Sequence, residues 1–376
     1  MMTKKSTQHD STQDLFAKLL DGHMTEIGIS DARLAWKIGV SRHTIIRWKS
    51  GKTKRPTSDN KVREVTKVLR LNPQDQNELL RAAGCLPKIT DQFLPVIGKP
   101  IFSPKQFFGR ADMLVRIKRA WNKRSLENVA ITGPRGSGKT SLLHYLENIG
   151  AASQKSLRPN QPPKGWKDWR PIDFQFAIIN FYDSGMCDPK VLVQEVLQQL
   201  KLPIPEVCDL MCFAETLKQV NVPTIILMDE VGAGLKSETL SPDFWYNLRY
   251  LAGHSPNLGF LMTARENIQV LAKNAGKPSP FFNLFGHTLE LEEFTDSEAR
   301  DFLNHFPQKL SLEDRQWILD NSGCWPVFLQ IISDQRLIAL EEKQSDEVWK
   351  AEALKRIKTF QEYSSQPISL KNTSEI

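Results

Sequence analysis

The stretch Val129-Ala130-Ile131-Thr132-Gly133-Pro134-Arg135-Gly136-Ser137-Gly138-Lys139-Thr140-Ser141 decides the fold. An apolar strand runs into a glycine-rich loop, and a helix-forming stretch, Ser141–Leu146, follows. The loop fits G-x-x-x-x-G-K-[ST], and the strand before it and helix after it supply the context that makes this pattern a phosphate cradle. The glycines let backbone N–H groups converge at a helix N-terminus, where aligned peptide dipoles favour an anion. Lys139 is expected to meet the β- and γ-phosphates of a nucleotide, and the Thr140 hydroxyl to ligate Mg²⁺. Gly133, Pro134, Arg135, Gly136, Ser137, Gly138, Lys139, Thr140 and Ser141 are therefore candidate nucleotide-binding residues, with ATP and Mg²⁺ as the expected cofactors.

Working outward, Ile225-Ile226-Leu227-Met228-Asp229-Glu230 is an apolar strand that ends in two carboxylates. Asp229 is expected to hold Mg²⁺ together with Thr140, and Glu230 to orient or deprotonate the attacking water, so hydrolysis should accompany binding. Phe260-Leu261-Met262-Thr263-Ala264-Arg265 ends a further strand and offers Thr263 and Arg265 near the γ-phosphate. Thr263 suits a sensor of hydrolysis; Arg249 and Arg265 are alternative arginine fingers toward a neighbouring subunit. The catalytic candidates are Lys139, Asp229, Glu230, Thr263 and Arg265.

Around these motifs, apolar runs alternate with helical stretches. The runs are Asn128–Thr132, Phe174–Phe181, Thr224–Met228 and Gly259–Thr263; the helices begin at Lys139 and Pro189 and near Phe244–Leu251. Strands apolar on both faces imply a buried parallel sheet flanked by helices. From about Leu289 the chain is expected to turn helical, through Asp296–Phe306, Leu312–Asn321 and Pro326–Glu341, forming a small helical lid or winged domain. A polar, frayed tail should follow Gln361. The long connection Ala151–Pro171 is unusual enough to be functional or mobile. Its Trp166 and Trp169, with the basic run Lys164–Arg170, could touch a partner or DNA, or pack on the body.

The N-terminal quarter differs in charge and periodicity. The chain carries 50 Lys and Arg against 43 Asp and Glu, a net of +7. Residues 1–88 alone hold 17 against 9, a net of +8, so the rest is close to neutral. A basic module on a neutral body points to a polyanion partner for the module. Its periodicity predicts helices at Asp14–Ile27, Ser30–Ile38, Ser41–Trp48, Ser58–Leu69 and Pro73–Ala83. Ser30, Ser41 and Ser58 stand where N-caps belong, and Gly39, Gly51 and Gly84 where helices stop. Within residues 29–51, Ala35 is small where two helices cross, Gly39 permits a turn, and Val40, Ile45 and Trp48 face a core. That leaves Arg42, His43, Thr44, Arg47 and Lys49 outward on the second helix. Arginines there suit guanine edges in the major groove, while Ser41, Thr44, Lys52, Lys54 and Arg55 suit phosphates.

The expected organisation is a flexible tail (1–11), a helix-turn-helix domain (12–86), a proline-rich linker (87–104), a P-loop ATPase domain (105–288), a helical lid or winged domain (289–345), and a C-terminal helix and tail (346–376). The fold class is α/β, a P-loop NTPase with a parallel sheet and a small lid, preceded by an all-α domain. Composition excludes a membrane span, since no apolar run approaches the ~18 to 20 residues required. The first residues lack the apolar centre of a secretory signal, so a cytoplasmic location is expected. Cys85, Cys187, Cys208, Cys212 and Cys324 are odd in number and scattered, which argues for free thiols. Cys208 and Cys212 share a helical spacing, but no second pair completes a zinc site.

Taken together, Phe107-Phe108-Gly109-Arg110, the GPRGSGKTSLL loop, LMDE, MTAR, SPFFNLF (279–285), LEEFTDSEARDFL (291–303) and SGCWPVFLQ (322–330) resemble the STAND NTPases and their AAA+ relatives of the origin-initiator type, over about residues 105–340. The resemblance implies that Arg110 packs near the adenine and that Pro326 lies near the nucleotide. It also places a second glycine before that proline, where this chain has Gly323-Cys324-Trp325. Residues 12–86 resemble the λ-repressor/Cro (XRE) family, including a glycine and then a proline after the recognition helix, Gly51 and Pro56. These resemblances imply an ATP-dependent regulator that binds double-stranded DNA, forms homo-oligomers on binding ATP and answers to a protein effector, a switch in transcription or defence. Two alternatives are open: a transposition ATPase of the MuB/TnsC type, and an adaptor whose head binds protein.

Overall fold

A computed structural model of the chain describes residues 10–51, 59–69, 71, 73–84, 93–152, 157, 158, 161, 173–206, 208–218, 220–306, 310–363 and 368. The chain divides into two compact units, Met1–Gln92 and Phe93–Ile376.

The first unit is a cluster of five helices: α1 (Asp10–Ile27), α2 (Asp31–Ile38), α3 (Arg42–Lys49), α4 (Asp59–Val68) and α5 (Pro73–Ala82). The serines and glycines predicted to punctuate α2 and α3 do so. Ser30 accepts from Arg33 N–H and Ser41 from Thr44 N–H, satisfying backbone donors that the first helical turn leaves open. Gly39 ends α2 in the left-handed region at φ 64°, so the chain turns through Val40 into α3. Leu34, Ala35, Ile38, Ile45 and Trp48 close a core with Phe16, Leu20 and Val65, and Phe16 meets Trp48 edge-on at 6.4 Å. Ser58, the cap expected for α4, lies outside the described residues, as do Lys52, Lys54, Arg55 and Pro56.

The second unit opens with α6 (Ala111–Trp121) and then alternates: β1 (Val129–Thr132), α7 (Lys139–Ile149), β2 (Gln175–Asn180), α8 (Pro189–Gln199), α9 (Leu210–Lys218), β3 (Thr224–Asp229), α10 (Val231–Lys236), α11 (Pro242–His254), β4 (Leu258–Ala264), α12 (Ile268–Asn274) and β5 (His287–Glu290). The strands form one parallel sheet in the order β2-β3-β4-β1-β5. Side chains alternate between its faces, and both faces are covered. Val129, Ile131, Ile225 and Leu227 pack under α6 and α7, while Ala130, Ile226, Met228 and Phe260 pack under α8 to α12. The register sets Ile131 beside Thr263 and Asn180 beside Asp229, so the polar strand ends gather at the carboxyl edge of the sheet. In open parallel sheets that edge is where ligands bind.

Four helices follow: α13 (Asp296–Asn304), α14 (Leu312–Ser322), α15 (Pro326–Glu342) and α16 (Asp346–Glu362). Reciprocal capping boxes, Thr295 with Glu298 and Ser311 with Asp314, start the first two. Phe302, Ile318, Phe328, Ile332 and Trp349 form their shared core. Of the two forms expected for this region, the helical lid is the one found: residues 291–306 and 310–363 contain no strand.

Three expectations need correction. Residues 93–104 belong to the second unit and are not a free linker: Phe93 stands edge-on to Phe108, Phe302 and Phe306 at 5.0–5.5 Å, and Ile101 N–H donates to Ser141 Oγ at 3.0 Å. The chain does not turn helical at Leu289, because β5 runs to Glu290; only Leu289 of its four residues is buried, so no apolar run announced it. The tail beyond Gln361 is not wholly frayed, since Ile368 is buried and its carbonyl accepts from Gln361 Nε2 at 3.0 Å.

Candidate functional site

The loop Gly133–Gly138 joins β1 to α7 with its glycines in backbone states closed to other residues: φ is 150° at Gly133, 87° at Gly136 and 97° at Gly138. It borders a cleft of about 370 Å³ between the sheet edge and the lid, a size suited to a small-molecule ligand. The walls come from 96–101, Phe107, Phe108, Arg110, the loop itself, Glu230, Phe294, Pro326, Val327 and Ile331.

Lys139 is buried at the start of α7, and its ammonium donates to the carbonyls of Gly133 (2.8 Å) and Pro134 (3.1 Å). Burial lowers its pKa below the ordinary lysine value, opposed by the carboxylates of Glu230 and Asp229. Thr140 Oγ1 donates to Asp229 Oδ2 at 2.8 Å, which joins the loop to the end of β3. Asp229, only 1% exposed, also accepts from Thr263 Oγ1 (2.5 Å) and from Asn180 Nδ2 (3.4 Å). Thr263 is fully buried and accepts in turn from Glu230 N–H at 3.0 Å. The expected sensor is thus a brace between the two acidic residues, turned inward from the cleft.

Glu230 lines the cleft in a left-handed conformation, φ 53°, a strained state for a residue with a side chain. Its carboxylate lies 3.7 Å from Arg265 Nε, and Arg265 Nη2 donates to Tyr182 Oη at 2.5 Å. Arg265 thus lies beside Glu230 of its own chain. Arg249, the other arginine considered for a neighbour's site, lies on α11 with its guanidinium near Gly253.

Arg110 is buried, with φ 66°, and donates from Nη2 to the Ser137 carbonyl at 2.8 Å while its guanidinium covers the Phe294 ring at 4.8 Å. Burial lowers its pKa to about 10, countered by Glu298, Glu293 and Glu292, so it stays charged at neutral pH. Pro326 opens α15 against the cleft. Cys324 takes the place where the resemblance implies a second glycine, and its backbone is left-handed, φ 58°, directly after Gly323 at φ 53°. A left-handed residue with a side chain costs this turn about 1–2 kcal/mol. Ser141 Oγ is occupied by Ile101 N–H.

Several contributors carry no motif. Asn180 ends β2, where only its position opposite Asp229 marks it, and Tyr182 lies two residues further on. Arg158, inside the long connection after α7, donates to the carbonyls of Lys105 and Phe107 and lies 3.6 Å over the Phe108 ring. It ties that connection to the segment carrying Arg110. Trp166, Trp169 and the run 164–170 lie outside the described residues.

The chemistry of the donors fits a magnesium nucleotide. Ser137 Oγ, within the loop, is buried without a partner, and Gly138 faces open space. The pair of Thr140 hydroxyl and Asp229 carboxylate offers hard oxygen ligands, few in number, as Mg²⁺ takes when phosphates complete its shell. No group of three or more His, Cys, Asp or Glu among the described residues is placed to hold a metal without such a ligand. Cys187, Cys208, Cys212 and Cys324 are free thiols.

A second candidate surface lies on the first unit. Ser41, Arg42, His43 and Arg47 are exposed on the outer face of α3, with Ile46 and Ser50 in the same stripe; Thr44 is half-buried and shares a 2.9 Å hydrogen bond with Ser41. Lys49 departs from expectation. Its ammonium is bound to Asp21 (2.7 Å) and Asp31 (3.1 Å). The Asp21 carboxylate raises its pKa against partial desolvation, and Asp31 adds to that rise. Its charge is committed to holding α1, α2 and α3 together.

No protein-family model matches the chain, and no curated protein matches it. Among solved structures it is similar to a Walker-type ATPase of Pyrococcus abyssi, at 14% identity over 70% of this chain and 75% of that one, with a TM-score of 0.50. The Aeropyrum pernix ORC2 protein in its ADPNP–ADP complexes matches at 17% identity over 71% and 70%, TM-score 0.49. AMPPCP-bound DnaA from Aquifex aeolicus matches at 17% over 70% of each chain, TM-score 0.42. At 14% identity the likeness to the Pyrococcus abyssi structure is one of fold alone, a parallel sheet with a phosphate loop and a helical lid. Among the described residues no helix is long and apolar enough to cross a membrane.

Proposed function

We propose that this protein is an ATP-hydrolysing, DNA-binding regulator whose nucleotide state controls its self-association and its hold on DNA, a STAND-like switch. The observation that carries the ATPase half is the hydrogen bond from Thr140 to Asp229, which unites phosphate loop and acidic strand end in one cleft. Lys139, already at the loop carbonyls, would exchange them for phosphate oxygens; Thr140 and Asp229 would hold Mg²⁺, which neutralises phosphate charge when bound. Glu230 serves as the base for the attacking water, and Thr263 fixes both acids through Asp229 and the Glu230 amide. Arg110 braces the loop at Ser137 beside the apolar wall that would take the base.

The DNA half rests on the outer face of α3, where Arg42, His43 and Arg47 have no carboxylate bound to them among the described residues, in a segment of net +8 over 1–88. One such module makes few contacts, so pairing on two half-sites is the route to useful affinity, and nucleotide-controlled self-association would supply the pair. The test is to measure ATP turnover and duplex binding of the full chain with and without nucleotide. Turnover abolished by Glu230→Gln and DNA binding strengthened by ATP are expected. Turnover unchanged by Glu230→Gln, or DNA binding indifferent to nucleotide, contradicts the reading.

A further inference from the structure

The tip of α16 packs on the edge of the lid core and also touches the phosphate loop. Most of the helix is anchored by Trp349, Ala353 and Ile357, all buried in the lid. Its last turn adds a partner outside the lid. Phe360 stands edge-on to Phe328 at 5.8 Å and presents its face to the guanidinium of Arg135 at 5.4 Å. Arg135 Nη1 also donates to the carbonyl of Tyr363 at 3.3 Å, immediately after the helix. Carbonyls at a helix C-terminus lack partners within the helix, and the peptide dipoles favour a cation there. Beside this contact Gly136 has no room for a side chain: a methyl group would stand 2.7 Å from Val327 and 3.1 Å from Phe360. The lid residues facing the cleft, Pro326, Val327, Gln330, Ile331 and Phe360, carry no charge. The lid therefore meets the phosphate loop through an arginine that the loop itself supplies.

We propose that the last turn of α16 belongs to the nucleotide site as a positioning element: it holds the loop through Arg135 and Gly136, and yields Arg135 when a triphosphate arrives. This rests on the cleft being a nucleotide site. The contact to the Tyr363 carbonyl is long and has a neutral acceptor, whereas a phosphate oxygen offers the guanidinium a full opposite charge and the bidentate geometry it favours. Phosphate and helix end thus compete for one guanidinium. Coupling of this kind is reciprocal: phosphate loosens the end of α16, and a loosened end strengthens phosphate binding.

Amide hydrogen exchange on the full-length protein reads both ends of the coupling. With a slowly hydrolysed ATP analogue and Mg²⁺, amides in 133–141 become protected while those in 358–363 exchange about tenfold faster, the factor for losing one hydrogen bond to a charged donor. In Phe360→Ala, residues 358–363 exchange fast without nucleotide and the analogue binds several-fold more tightly. Phe360→Leu, which keeps the packing on Phe328, falls between the two. Protection at 133–141 with no change at 358–363, or weaker binding in both Phe360 variants, overturns the role of α16. No protection at 133–141 in the wild type overturns the nucleotide site itself.

Discussion

The hydroxyl of Thr140 and the carboxylate of Asp229 meet at 2.8 Å although 89 positions of chain separate them, and Asn180, Thr263 and Glu230 are joined to that pair by further hydrogen bonds. Asp229 accepts on both oxygens, from Thr140 and Asn180 on one and Thr263 on the other. Asp229→Asn replaces one acceptor by a donor. Nucleotide affinity in Mg²⁺ should fall at least about tenfold, with a smaller loss in EDTA, since removing one partner leaves a buried group unpaired. Titration of a fluorescent ATP analogue in the two buffers checks this; equal losses would remove Asp229 from the metal.

Glu230→Gln keeps the size of the side chain and its place in the cleft but cannot take a proton. Hydrolysis should fall by about 10²–10⁴, the range for losing a general base, with nucleotide affinity within a few-fold of wild type. Steady-state phosphate release and equilibrium binding separate the two effects.

Thr263→Val leaves Asp229 Oδ1 and the Glu230 amide without their shared partner in a fully buried place. It should cost about 1–3 kcal/mol of stability and slow hydrolysis, whereas Thr263→Ser, which keeps the hydroxyl, should restore most of both. Denaturant unfolding with turnover on the same samples provides the comparison. A valine variant that is less stable but fully active would leave Thr263 a purely structural residue.

On the first unit the basic residues of α3 should divide into two classes. Arg42→Ala and Arg47→Ala should each weaken duplex binding by about 1–3 kcal/mol where they reach a base, or reduce the salt slope by about one where they reach a phosphate. Lys49→Ala should do neither. It loses its ion pairs with Asp21 and Asp31, so the expected change is a lower melting temperature from about 0.5–1 kcal/mol of lost stability.

What could be read from the residues alone was whatever is local in sequence. The loop at 133–140, the paired acids at 229 and 230, and the serines and glycines around α2 and α3 announce themselves because their chemistry depends on fixed spacing. The inward turn of Thr263 and the binding of Lys49 to two other helices depend on tertiary neighbours, which spacing does not encode. The same holds for Phe93–Pro104. Its prolines and scattered apolar residues suggest a linker, yet the aromatic pocket formed by Phe108, Phe302 and Phe306 draws Phe93 onto the body. β5 was hidden because an edge strand with one buried residue has no apolar pattern to show.

The most direct test of the central claim is the mass of the purified full-length protein on duplex DNA, measured with and without a slowly hydrolysed ATP analogue. The account predicts a nucleotide-dependent complex of fixed, small stoichiometry on duplexes of any sufficient length, lost in Lys139→Ala. A mass that is the same with and without the analogue, or that grows steadily with duplex length, would contradict it.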